Sequence, residues 1–229
     1  MNKKLVMAGV ISAVVSSGVL AQAASANFGV TGTINPGACG ISLPTGGGVA
    51  DYGTLSTATV RGYTVYNGGG TPAYVFGNKF IPITVTCSAP TRAELSFVDN
   101  KSGQRLSLDQ YDADRYGVSD GVGGVVAIGA YTLFLSSTLL DGVAAAGYLT
   151  APTGTTAWSS TAIGGVPASV AAPGYAVGFI KTAGNIAPDT FTTMSGNLGV
   201  TLYVDQAYVN SATNVISLQG SGTVTLQYL

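Results

Sequence analysis

Asn27-Phe-Gly-Val-Thr-Gly-Thr-Ile-Asn-Pro-Gly-Ala-Cys39 is the stretch on which the reading of this chain turns. Phe28, Val30, Gly32 and Ile34 fall on one parity, and Asn27, Gly29, Thr31, Thr33 and Asn35 fall on the other. Successive side chains of a strand point to opposite faces, so residues 27–35 read as a strand with one apolar and one polar face. Pro36 and Gly37 then break it before Cys39, which separates this strand from the rest of the chain. Alternation of this kind is also found in the first strand of a self-contained sandwich, so its surroundings have to decide its role.

Upstream, Lys3 and Lys4 precede an apolar run from Leu5 to Leu20, and the small-residue stretch Ala21-Gln-Ala-Ala-Ser-Ala26 comes next. This is the three-part layout of a secretory signal peptide, with an apolar run shorter than the roughly 20 residues of a membrane-spanning helix. Cleavage after Ala23 or after Ala26 fits the small-x-small rule, and Ala26 is favoured because Asn27 begins a new pattern. No cysteine stands after either site, which argues against a lipoprotein. Residues 1–26 are therefore expected to be removed, leaving 203 of the 229 residues, enough for one sizeable domain.

Without Lys3 and Lys4, seven of the nine basic side chains remain against ten acidic ones. Nothing in that balance attracts nucleic acid. The chain has no histidine, and only 8% of its residues are charged. A Ser-His-Asp triad is thus impossible, no Ser-x-x-Lys motif occurs, and the chain reads as a non-enzyme without cofactors. Cys39 and Cys87 are the only cysteines, in a chain routed to an oxidising compartment, and they are expected to form a disulfide and not a metal site.

Between these landmarks, Val, Thr, Tyr, Ile and Phe alternate with small or polar residues, and Gly, Pro, Asn or Asp punctuate the runs. Strands are expected at Thr59–Tyr66, Phe80–Cys87, Ala93–Val98, Val125–Leu135, Tyr175–Lys181, Leu198–Asp205 and Val215–Tyr228. Thr150–Gly174 reads as a surface excursion with one edge strand. No segment keeps a helical period for three turns. The fold class is all-β, and seven or so short strands in one domain indicate a sandwich. Asp109, Asp112, Asp114 and Asp120 lack calcium-loop spacing and are expected to lie in a solvated loop. Gly46–Gly48 and Gly68–Gly70 are turns without the Lys-Ser/Thr that a phosphate loop needs. Trp158 is expected to pack, with sugar stacking as the sharper reading.

At the far end, Ile216, Leu218, Gly220, Gly222, Val224, Leu226 and Tyr228 share one parity, and the chain finishes on that amphipathic run. Terminal residues usually fray, so this strand is expected to be docked. Together the two ends resemble chaperone-usher pilins. Gly32-Thr-Ile-Asn-Pro-Gly-Ala-Cys39 resembles the pilin N-terminal extension, whose glycine lies seven residues before the first cysteine. Phe80-Ile-Pro-Ile-Thr-Val-Thr-Cys87 is similar to the strand carrying the partner cysteine. Val224-Thr-Leu-Gln-Tyr228-Leu229, with its penultimate tyrosine, resembles the pilin C-terminal strand. In the centre, Tyr116-Gly-Val and Gly129-Ala-Tyr-Thr-Leu133 look like the larger fimbrial proteins of the DUF1120 group. Gly220 and Gly222 stand closer to the terminus than the glycine pilins commonly carry there.

The resemblance implies an incomplete immunoglobulin-like β-sandwich lacking its last strand and completed by donor-strand exchange. Residues 27–38 would be the donor extension and 39–229 the pilin-like domain. Phe28, Val30, Gly32 and Ile34 would enter a neighbour's groove, and Ile216, Leu218, Val224, Leu226 and Tyr228 would form the C-terminal strand facing groove and chaperone. Partners would be identical or related pilus subunits, a periplasmic chaperone and an outer-membrane usher, and the destination would be a fimbrium on the cell surface that supports adhesion. A tip or adaptor adhesin binding a host glycan is the alternative, with a small outer-membrane β-barrel behind it. The donor run argues against a dedicated adhesin, and the short strands and the cysteine pair argue against a barrel.

Overall fold

Lys79–Asp99 forms one strand, β4, of 21 residues, where the alternation predicts two. Ile81, Ile83, Val85 and Cys87 are buried along its first half, and Ala93, Leu95 and Phe97 along its second. The exposed stretch Ser88-Ala-Pro90 between them reads as a break in sequence but stays extended. Pro90 lies where the neighbouring strand shifts register, between Phe191 and Thr193, so its missing N–H costs little of the ladder. This computed structural model describes residues 38–44, 48–121, 125–161 and 171–229. The expected signal peptide with its two candidate cleavage sites, and the expected donor run with Phe28, Val30, Gly32 and Ile34, lie outside the described residues.

β4 belongs to two sheets. Its first half pairs with β1 (Cys39–Ser42) on one edge and β11 (Thr190–Asp205) on the other. The sheet continues from β11 through β6 (Ala127–Leu140) and β5 (Tyr116–Asp120) to β12 (Leu218–Gly220). β3 (Ala73–Val75) pairs with the end of β11 and carries β2 (Val65–Tyr66), and β7 (Val143–Ala144) pairs with β6. The second half of β4 pairs with β13 (Gly222–Tyr228) and, on its opposite edge, with β10 (Tyr175–Ile180), then β8 (Gly147–Pro152) and β9 (Ser159–Thr161). Every one of these pairings is antiparallel.

The fold is an all-β sandwich. Between the sheets, Ile83, Val85, Leu95, Phe97, Val177, Phe179, Phe191 and Met194 are essentially inaccessible. The interior is packed with side chains, and the path of paired strands runs from β12 to β9 without closing among the described residues, unlike a membrane barrel. Cys39 and Cys87 face each other across β1 and β4 and are joined by the disulfide.

Several expectations are corrected. Within Thr59–Tyr66 only Val65–Tyr66 is strand. Thr57–Val60 is a single helical turn, α1, because the Ser56 hydroxyl accepts the Thr59 N–H at 3.0 Å as an N-cap and thereby outweighs the β-propensity of the threonines and Val60. Val215–Tyr228 is not one strand. It begins at Leu218 and breaks at Ser221, so that β12 lies in the first sheet and β13 in the second. The acidic group is not a solvated loop. Asp109 and Asp112 both engage Arg115, at 2.6 and 3.0 Å, while Asp120 is buried and accepts the Tyr208 hydroxyl and the Ser217 N–H. The excursion contains the expected edge strand, β9, and Trp158 is half-buried against Gly178.

Candidate functional site

Along the C-terminal strands a cavity of about 580 Å³ opens into the sandwich. Its floor is core: Phe97 from β4, Val118 from β5, Tyr131 and Leu133 from β6, and Leu198, Val200 and Leu202 from β11. Alternation puts these side chains on the inward face of their strands, the face that a closed sandwich hides completely. One wall is the run from Leu218 to Val224, spanning β12 and β13. The other is Leu43 with Gly48, Val49, Ala50 and Tyr52, from the chain after β1. Lys101 is the one charged residue in the lining, and its ammonium is held by the Ser119 hydroxyl at 2.7 Å.

The second wall has its own anchor. The Tyr52 hydroxyl donates to the Val200 carbonyl at 3.0 Å, and burial pushes its pKa up to about 12. The Tyr52 ring meets Phe76 edge-on and lies under the Lys79 ammonium, 5.6 Å from its centroid. Val49 beside it is 74% exposed, an apolar side chain standing at the rim of an apolar cavity.

The first wall carries an unused ladder. β13 pairs with β4 from Gly222↔Asp99 to Tyr228↔Ala93, and among the described residues no strand pairs with its opposite edge. Backbone donors and acceptors on such an edge are a template for another chain.

Of the residues singled out from sequence, Leu218 and Val224 line the cavity together with Gly220 and Gly222. Leu226 and Ile216 are half-buried and pack on the core beyond the lining, and Ile216 precedes β12 in a loop. Tyr228 is more than half exposed and reaches the Cys39 backbone. Leu43, Val49, Ala50 and Tyr52 are not anticipated by sequence. The signal in Val49-Ala-Asp-Tyr52 is too short for periodicity, and its place is set by the Tyr52 bond to β11, about 150 residues away in the chain.

Residues 28–138 match the family described as protein of unknown function (DUF1120). That span runs from the alternating N-terminal stretch through both cysteines into β6. No curated protein sequence matches the chain. The crystal structure of the P pilus rod subunit PapA is similar over 89% of this chain and 100% of that chain, at 13% identity and a TM-score of 0.38.

Proposed function

We propose that this chain is a structural subunit of a chaperone-usher fimbria that polymerises when the segment around Phe28, Val30, Gly32 and Ile34 of one copy fills the cavity of the next. The observation that carries this reading is the cavity: an apolar trough floored by the sandwich core and walled by a strand whose outer edge pairs with no strand among the described residues. A small-molecule pocket would close around its ligand with a few convergent polar groups. This trough offers instead a β-edge and a row of apolar contacts, which is what strand addition requires.

The donor fits in kind. In residues 27–35 Phe28, Val30 and Ile34 share one parity, and Gly32 would sit where the trough is too shallow for a side chain. Burying three such side chains contributes at most about 4.5 to 9 kcal/mol before ordering costs. Donor and acceptor lie on every copy, so the product is an open head-to-tail fibre. Export through the periplasm, a chaperone that shields the trough there and an usher that exchanges it for the next subunit complete the proposal.

The test is to remove residues 27–35 and measure thermal unfolding with and without a synthetic peptide of that segment. The expected result is a rise of several degrees on adding the peptide. A cooperative, stable fold that ignores the peptide would sink the donor-strand reading.

A further inference from the structure

We infer that Tyr228 caps the exposed edge of β1 and so sets where an incoming strand must stop. This rests on the strand-acceptor reading and adds a register-determining residue to it. Backbone parity decides which groups of β1 face that edge. The Ser88 N–H donates to the Ala38 carbonyl at 2.9 Å, so the Ala38 carbonyl faces β4. Backbone groups alternate sides along a strand, so the N–H and C=O of Cys39 face away from β4, toward the edge where another strand would pair. There the Cys39 N–H donates to the Tyr228 oxygen at 2.7 Å, and the Tyr228 hydroxyl reaches the Cys39 carbonyl at 3.4 Å.

The position of that phenol gives the contact its consequence. β13 and β1 succeed one another along β4, with Tyr228 opposite Ala93 and Cys39 opposite Cys87. The lining of the cavity ends at Val224, so Tyr228 and Cys39 lie beyond its end. An incoming strand that ran past the trough would continue onto β1, where the first outward donor and acceptor are already occupied. Leu229 fixes the geometry from the other side, its N–H donating to the Arg92 carbonyl at 3.1 Å. Occupied edges are one means by which proteins restrict strand addition to an intended site. Apart from the fit of Gly32, parity alone specifies register weakly in such a trough, because a slip of two residues keeps the same face in contact.

The experiment uses the full chain and Tyr228→Phe, which keeps the ring and removes the hydroxyl. Each is mixed at low concentration with a peptide of residues 27–35 bearing a nitroxide at one end, and amide signals are read by NMR together with hydrogen exchange. In the unsubstituted chain the label should broaden amides at one end of β13 only, and the Cys39 amide should exchange slowly. In Tyr228→Phe the Cys39 amide should exchange about tenfold faster, the worth of one ordinary hydrogen bond, and broadening should appear at a second position displaced toward β1. Peptide bound in one unchanged register to both proteins, or an unchanged Cys39 exchange rate, would overturn the role of Tyr228. Failure of the peptide to bind either protein would overturn the acceptor reading itself.

Discussion

Arg115 shows how a charged side chain is made to serve a β-sandwich. It is 6% exposed, on the face of the first sheet opposite the main core, and its guanidinium lies 5.7 and 5.6 Å from the rings of Tyr66 and Tyr203. Asp109 receives two of its N–H groups, at 2.6 and 2.8 Å, and also accepts the Tyr66 hydroxyl. Removing Asp109 leaves the buried guanidinium with Asp112 as its remaining carboxylate, and an under-compensated buried charge costs more than the pair gains. Asp109→Asn should therefore lower stability by about 3 kcal/mol in urea unfolding, whereas Asp109→Leu combined with Arg115→Met should cost much less. The pH dependence comes from the same contact. The Arg115 hydrogen bond holds the Asp109 carboxyl well below its usual range, so the folded pKa lies below the unfolded one. The stabilisation is complete above the unfolded value, near 4, and is lost as pH falls through the folded one. Asp141, lowered to about 2 mainly by the Lys181 ammonium, contributes with the same sign. Stability should thus decline from about pH 5 toward pH 2, and Asp109→Asn should flatten that decline.

The C-terminal strands make the corresponding point about elements. Residues 216–228 keep one parity throughout, so alternation alone predicts a single strand, yet the chain changes sheets at Ser221. The cause is distant: a Cβ on Gly220 would lie 2.8 Å from the Tyr131 ring, and one on Gly222 would lie 3.2 Å from the Tyr131 hydroxyl. The glycines let the chain bend closely over that ring, and no local pattern announces it. Gly220→Val should displace Tyr131 and lower stability by about 1 to 3 kcal/mol. Gly40→Ala, where nothing lies within 4 Å, should be nearly neutral, and thermal unfolding of both variants checks the contrast. Sequence locates β10 to within one residue, whereas it finds only the C-terminal half of β11, because Ser195-Gly-Asn197 reads as a break, and it misses residues 136–140 of β6. Thr59–Tyr66 misleads because a cap and a helical turn satisfy its backbone locally, and β4 reads as two strands because an exposed proline looks like a break. Short strands such as β3 and β5 escape sequence reading because their alternation is brief and their burial comes from partners supplied by β11 and β6.

At the level of the whole molecule, a signal-like N-terminus and two cysteines are enough to anticipate the disulfide, and alternation is enough to anticipate a sandwich. The trough is half readable. Its C-terminal wall lies on a periodic run, while the wall at residues 48–52 is held by tertiary contacts that alternation does not report. The disulfide joins these two kinds of information. It closes a loop of 48 residues in sequence that contains Leu43, residues 48–52 and α1, and it fixes β1, from which that wall hangs. Replacing both cysteines by serine should cost about 4 kcal/mol through the unfolded chain. The loss should also be uneven. β6 and β11 are held by long ladders to neighbours on both edges and should keep their protection up to the lowered global limit. Among the described residues, Leu43 and residues 48–52 are tied to the rest of the sandwich mainly by the Tyr52 bond, so their amides should exchange through local opening well before the global limit. Hydrogen exchange on the double serine variant distinguishes the cases: preferential loss at Leu43 and residues 48–52 means that the disulfide maintains the trough, whereas uniform loss means that it stabilises the sandwich alone. Peptide binding should track the first outcome, with weaker capture of residues 27–35 even at temperatures where the variant remains folded.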